Sequence, residues 1–326
     1  FGIFFIISSV TMAALYSKVS MNAKLFIVFY SYCNITMEEI MEDQIKIGII
    51  GGSGLYKMDA LKNKQEVYIG TPFGNPSGPV ITGTIEGKEV AFIARHGNGH
   101  VFNPSEVNYA ANIFALKTLG VRFIISVSAC GSLTEEYAPG NIVVPDQLID
   151  FTKGYRKKSF FENGVVAHIG VADPFCPELS DVLHKAVEKT GAPVHKGGRF
   201  ITIEGPRFST KGESELFRSW GLHIIGMTTS PEAFLAREAE MSYAVMAHIT
   251  DYDVWHEEPV STEMVVKTFT ENIHHAHASI VEAVRMIDEN AEYEAHSALA
   301  NAIMTDPALR NRFTLERLGP LVSKYM

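Results

Sequence analysis

Lys46-Ile47-Gly48-Ile49-Ile50 runs directly into Gly51-Gly52-Ser53-Gly54. A short apolar, β-branched run closed by glycines reads as a β-strand that ends in a loop of free backbone amides. The same grammar recurs outward along the chain. Val90–Ala94 ends in Arg95-His96-Gly97, Phe123–Val127 in Ser128-Ala129-Cys130-Gly131, and Phe200–Ile203 in Glu204-Gly205-Pro206-Arg207-Phe208. His223–Ile225 ends in Gly226-Met227-Thr228-Thr229, and Tyr243–Ile249 in Thr250-Asp251-Tyr252-Asp253. Strands of this kind alternating with helical stretches define an α/β fold, in which the tips at the carboxyl ends of the strands are expected to converge on one crevice.

Between the strands, Pro104–Leu119, Pro177–Thr190, Ser214–Trp220 and Pro231–Ala239 read as helices, each opening near a Pro or Ser suited to a first turn. Residues 261–290 predict one long helix with apolar positions including Met264, Val265, Ile273, Ile280 and Val284, and Leu299–Tyr325 predicts a second helical tail. No repeat, linker or low-complexity tract divides residues 45–326, so one domain with a C-terminal helical tail is expected there. Residues 1–44 read as a leader outside the fold. Two apolar runs, Phe1–Val10 and Leu25–Tyr30, are too short to cross a bilayer, and Met12, Met21, Met37 and Met41 offer alternative starts. A membrane-associating leader is the second reading of that stretch.

Composition narrows the function. With 326 residues, 46% apolar and 20% charged, the chain is an ordinary globule rather than a disordered, collagenous or coiled-coil protein. Its net charge of −9 argues against nucleic acid or an anionic membrane as the main partner, because both repel it at long range. Three scattered cysteines, Cys33, Cys130 and Cys176, form neither a disulfide framework nor a C-x-x-C zinc clasp, which points to a reducing compartment, the cytoplasm and, as a further location, the nucleus.

The tips carry the chemistry. A glycine loop with Ser53, an Arg95 fork with His96 beside it, and hydroxyls at Ser128 and Thr228 together suit a tetrahedral oxyanion. The glycine loop alone could equally be a tight turn. A dinucleotide reading fails at Lys57, where the third glycine of G-x-G-x-x-G would stand. Asp251 and Asp253 fit either a helix N-cap or the recognition and protonation of a heteroaromatic leaving group, with Phe208 as a stacking partner. No convergent His and acid set marks a metal site. Glu271, His274, His275 and His277 read as a solvated or subunit-facing patch, and Cys130 and Cys176 as small core residues.

Taken in order, the six tips, together with Ser132, Ser209, Pro231-Glu232 and Val254-Trp255, resemble the trimeric nucleoside phosphorylases over about residues 46–290, and within them the branch that acts on 5′-methylthioadenosine. The resemblance implies a single α/β domain with a mixed central β-sheet flanked by helices, a homotrimer, and phosphorolysis with inorganic phosphate as co-substrate and no cofactor or metal. On the matching positions it implies a phosphate shell of Ser53, Arg95, His96, Ser128, Ala129 and Thr228. It puts Met227 under the ribose, Ile203 and Phe208 against the purine, Asp251 near N7 as the acid, and Asp253 at the 6-amino group. His168 would reach the 5′-pocket of the next subunit, where Thr262, Val265 and Val266 also fall. Ser209 and Asp251 stand where 6-oxopurine phosphorylases carry Glu and Asn, which favours a 6-aminopurine. Thr262 replaces an apolar residue near the 5′-group, so adenosine, inosine and guanosine are the alternative substrates. From other classes, a silent nucleoside- or phosphate-binding protein and a nicotinamide-dependent oxidoreductase are the competing readings.

Overall fold

The computed structural model describes residues 45–52, 55–256, 261–271 and 273–326. The leader 1–44, the Ser53-Gly54 pair and residues 257–260 lie outside the described residues, and with Ser53 goes one expected phosphate ligand. In chain order the elements are β1 (Ile47–Gly51), β2 (Lys62–Val67), β3 (Val80–Ile85), β4 (Lys88–Ala94), α1 (Tyr109–Thr118), β5 (Phe123–Ser132), β6 (Ile142–Val144) and β7 (Gln147–Phe151). They continue with α2 (Pro177–Lys189), β8 (Val194–Lys196), β9 (Arg199–Ile203), α3 (Lys211–Ser219), β10 (Ile224–Gly226), α4 (Thr229–Glu238), β11 (Ser242–Asp251), α5 (Thr262–Glu271), α6 (Ile273–Met286) and α7 (Arg312–Leu318).

One mixed sheet runs β2-β3-β4-β1-β5-β10-β9-β7, with β11 also paired to β5 and leading on to β6 and β8. Period-two alternation explains why its central strands are apolar throughout. Ile47 and Ile49 of β1 face one core cluster and Ile50 the other, and on β11 Ala244 and Met246 oppose Tyr243, Val245, Ala247 and Ile249 in the same way. Helices cover both faces. Ile113, Phe114 and Leu116 of α1 pack with Leu235 and Ala236 of α4 on one side, while Leu179, Leu183 and Val187 of α2 pack with Ile280 and Val284 of α6 on the other.

Three expectations are corrected. Pro104–Leu119 is helical only from Tyr109, because Asn108 caps the Ala111 amide and starts the helix there. Of the long helix expected over 261–290, residues 262–271 and 273–286 are helical as α5 and α6, and the helix ends at Met286, short of 290. The tail is not one helix. Asp306 and Asn311 cap new short turns, Pro307 and Pro320 cannot continue a preceding one, and Gly319 adopts φ +47°, so only α7 and isolated 3-10 turns form.

Glu238, at the end of α4, accepts from the Phe160 amide and the Ser159 hydroxyl, both at 2.7 Å. Burial pushes its carboxyl up to about 7 from the usual 4.5. The folded protein therefore holds a proton that the unfolded chain has released, and stability should fall as pH rises through the window from about 4.5 to about 7. Glu238→Gln should flatten that slope, worth on the order of 3 kcal/mol at most. Urea midpoints of both proteins at several pH values check this, and an unchanged slope in the variant would remove Glu238 as its source.

Candidate active site

Strands β4, β1, β5 and β11 are parallel and in close register, with Gly51 opposite Ala94, Ile50 opposite Ser126, and Ser128 opposite Ala247. Their carboxyl ends therefore lie along one edge. The remaining tips reach the site by another route than a uniformly parallel sheet. β5 is long enough for Gly131 and Ser132 to pair antiparallel with Ile225 and Ile224, so β10 and its parallel neighbour β9 run toward the site from the opposite direction. The two sets of tips meet over the last residues of β5.

Arg95 follows β4 and is almost fully buried. Its Nε and Nη2 each bind Glu232 at 2.8 Å, Nη2 also reaches Ser126 Oγ at 2.7 Å, and Nη1 donates to the Val127 carbonyl at 3.1 Å. A guanidinium has five N–H groups, so among the described residues four are taken and one Nη1 hydrogen has no protein acceptor. The expected open fork is thus corrected to a fixed cation with one free donor. Burial alone would lower the Arg95 pKa, but the Glu232 carboxylate more than offsets it and holds the guanidinium above its ordinary value. Glu232 is fully buried and also accepts from Ser126 Oγ at 3.0 Å and the Tyr243 hydroxyl at 2.8 Å.

His96 Nδ1 lies 2.9 Å from the Phe102 carbonyl, and its ring stacks on His100 at 4.2 Å. A carbonyl only accepts, so Nδ1 carries the proton. Burial, reinforced by Arg95, lowers the ring to about 4, which leaves it neutral with Nε2 as an acceptor. His96 is therefore suited to a P–OH group rather than to donation. Ser128 Oγ, within β5, is buried and has no hydrogen-bond partner among the described residues, and Ala129 beside it is exposed. Thr228 is nearly buried, and its side chain does not cap α4. Buried polar atoms are ordinarily paired, so the Ser128 hydroxyl is open to a ligand oxygen.

Asp251 closes β11 as a strand residue and Asp253 follows in a turn at φ +49°, so neither is a helix N-cap. Asp251 Oδ1 accepts from the Asp253 amide at 2.8 Å and Oδ2 from Thr250 Oγ1 at 2.7 Å. Burial raises its pKa against these two bonds. Burial also raises Asp253, whose Oδ2 has no partner at hydrogen-bond distance; the Ser214 and Ser209 hydroxyls stand near enough to offset part of the effect. Gly131 is required between the two acids. A Cβ on it would come within 2.9 Å of Asp251 Oδ1 and 3.0 Å of Ile225 Cγ2. One residue earlier, the buried Cys130 thiol is raised by burial and by Asp251 and lowered by Arg95, so both charges lie within electrostatic reach of it.

Met227 follows β10 and touches the β9 tip, where a Cβ on Gly205 would meet its Sδ at 2.7 Å. Ile203 ends β9 in a small apolar cluster with Phe217, Ile225, Met227 and Trp255, and Phe208 is 36% exposed. The 5′-group residues are less convergent within one chain. Thr262, Val265 and the exposed Val266 lie on α5, which packs along β11 through Phe269 against His248. His168 is exposed, donates its amide to the Ala302 carbonyl at 2.8 Å, and lines a cleft of about 260 Å³ with Arg237, Glu294 and Asn301, none of them on the phosphate or purine side. Glu232 had a place in the sequence blocks without a role; its partner lies 137 residues away. Among the described residues, no group of three or more His, Cys, Asp or Glu side chains could hold a metal ion.

Residues 46–285 match the family model of the phosphorylase superfamily. The chain belongs to the phosphorylase superfamily. Within it, the S-methyl-5′-thioadenosine phosphorylase of Chloroflexus aurantiacus is 54% identical over 281 residues, 86% of this chain and 98% of that protein. The corresponding enzyme of Geobacter sulfurreducens is 50% identical over 282 residues, 86% of this chain and 99% of that one. A solved methylthioadenosine phosphorylase from an antarctic soil metagenomic library superposes with a TM-score of 0.82 at 46% identity, covering 86% of this chain and 99% of its own. The mixed sheet flanked by helices is thus the phosphorylase fold.

Proposed function

We propose that this superfamily member cleaves 5′-methylthioadenosine with inorganic phosphate, releasing adenine and 5-methylthioribose 1-phosphate. A phosphate oxygen forms a bond to C1′ as the C1′–N9 bond breaks, and the electron pair leaves with the purine. The observation that carries this is the register of the parallel strands, which sets Ser128 and Gly131 of β5 beside Ala247 and Asp251 of β11, with Arg95 following β4 at the same edge and reaching the Val127 carbonyl of β5. The names and identities of the relatives support the same substrate. Phosphate would take the last Nη1 hydrogen of Arg95, the hydroxyls of Ser128 and Thr228 and the Ala129 amide, and would give a P–OH to His96 Nε2. Ser53 would complete the shell. Positive charge growing on the sugar is then met by phosphate, and negative charge on the purine by a proton from Asp251 to N7. Met227 would lie under the ribose and Ile203 and Phe208 against the base, with Asp253 Oδ2 accepting from the 6-amino group. No cofactor takes part.

We also propose a homotrimer in which exposed His168 serves the 5′-pocket of a neighbouring copy, alongside Thr262, Val265 and Val266; sedimentation at micromolar concentration tests this, and a monomer that turns over normally would overturn it. Adenosine is the second reading, since the Thr262 hydroxyl could meet a 5′-hydroxyl and a Schistosoma mansoni neighbour, 38% identical with a TM-score of 0.75 over 80% of this chain and 99% of its own, is named an adenosine/methylthioadenosine phosphorylase. Base release from methylthioadenosine, adenosine and inosine, with and without phosphate, tests the proposal. Release that ignores phosphate would overturn it.

Ser128→Ala isolates the oxyanion side. A hydrogen bond to a charged group contributes about 1.5–3 kcal/mol, so the phosphate KM should rise roughly 10- to 100-fold. The nucleoside KM should hold, and so should the melting midpoint, because the hydroxyl has no protein partner to lose. An unchanged phosphate KM would take Ser128 out of the shell.

A further inference from the structure

Resting on this phosphorolysis reading of the site, we infer that Arg156 is a positioning residue that locks the purine-side tip after β9 to the ribose- and phosphate-side tip after β10. Its side chain is wholly buried. Nη1 donates to the Met227 carbonyl at 2.6 Å and the Ser230 carbonyl at 2.8 Å, while Nη2 donates to the Glu204 carbonyl at 2.5 Å and Nε to Glu204 Oε1 at 3.1 Å. The Tyr109 hydroxyl stands 3.3 Å from Nη1, and the guanidinium carbon lies 5.5 Å from the Tyr109 ring centre.

These partners are not scattered. Met227 and Ser230 bracket Thr228, so both carbonyls that Nη1 holds flank the residue proposed to bind phosphate. Glu204 directly follows Ile203, and its carboxylate is fixed in turn by the Lys153 amide at 2.5 Å and by the Ser105 hydroxyl. One planar cation thus joins three carbonyls and a carboxylate on two loops that approach from adjacent strands. Lysine offers a point charge on a flexible stem and cannot spread its donors in that plane. Gly205 completes the junction. It adopts φ +69°, and any Cβ there would press on Met227 Sδ.

The consequence is kinetic. The sugar carbon must sit between a purine held by one loop and a phosphate held by the other, and misplacement by about 1 Å costs on the order of 100-fold in rate. Loosening the lock therefore harms both substrates at once, unlike a ligand that touches only one of them.

The test is steady-state kinetics of Arg156→Met and Arg156→Lys with phosphate and methylthioadenosine varied separately, rates referred to folded enzyme by a melting curve. In Arg156→Met, kcat/KM should fall about 100-fold for each substrate, with Arg156→Lys in between. A role confined to folding would lower the melting midpoint yet leave kcat and both KM values of the folded enzyme unchanged, and that result overturns the inference, as does a loss for one substrate alone. Should Arg156→Met fail to fold, Arg156→Lys and Glu204→Gln give the same reading, each lowering both constants. Wild-type protein that turns over no nucleoside removes the phosphorolysis reading and this inference together; wild-type turnover with unaffected variants removes only the latter.

Discussion

Asp251→Asn should lower phosphate-dependent release of adenine from methylthioadenosine by roughly 10²- to 10⁴-fold, the range a positioned general acid supplies. The amide is nearly the same size as the acid; its oxygen can still accept from the Asp253 amide while its NH2 donates to Thr250 Oγ1, whose hydroxyl then donates to the Cys130 carbonyl, so the fold around Gly131 should survive. What it cannot do is give up a proton as the C1′–N9 bond breaks. The pH profile separates these roles. In the wild type, burial raises the carboxyl above its ordinary value, so the protonated form persists to higher pH than for an exposed acid, and turnover should fall on the alkaline side as Asp251 ionises. That limb should vanish from the residual activity of the variant. Near-normal turnover, or an alkaline limb that stays in place, would remove Asp251 from proton transfer and leave it a base-recognition residue.

The parts of this site that were legible in sequence share one property: each follows a buried apolar run. A strand sealed on both faces by helices carries a buried apolar run, so the end of that run is visible as an abrupt change of composition, as at Ile50–Gly51; at Val127–Ser128 the same change falls inside β5, which continues to Ser132. Strand β2, Lys62–Val67, is exposed over nearly all its length and reads as polar chain, while β6 and β8 are three residues each and carry too little pattern to stand out. The reversal of direction at β10 was equally invisible, because it depends on how far β5 extends and not on the residues of β10. Side-chain roles failed for a similar reason. Arg95 was seen, but its state depends on Glu232, and the acceptor role of His96 depends on a backbone carbonyl six positions away. Arg156 sits among lysines in Lys153–Lys158 and looks like one more solvated charge until the fold turns it inward.

The Arg95–Glu232 pair allows stability and phosphate capture to be separated. Glu232→Ala leaves a guanidinium buried with no counter-charge, and breaking a buried pair from one side costs about 3–5 kcal/mol. It also frees the Nε hydrogen and one Nη2 hydrogen of Arg95 and leaves the guanidinium anchored through Ser126 Oγ and the Val127 carbonyl, so its donors are no longer aimed, and the phosphate KM should rise together with the loss of stability. Replacing both partners by apolar residues, Arg95→Met with Glu232→Leu, removes the stranded charge, and such exchanges are often close to neutral in stability. Two further groups lean on Glu232, Ser126 Oγ and the Tyr243 hydroxyl, so recovery in the double variant should be partial. Its urea midpoint should lie between those of Glu232→Ala and the wild type, while phosphate no longer supports turnover. A double variant no more stable than Glu232→Ala would show that the carboxylate matters for Ser126 and Tyr243 rather than for Arg95. One that recovers its midpoint and still uses phosphate with an ordinary KM would take Arg95 out of the oxyanion shell, and leave that task to His96, Ser128 and Thr228.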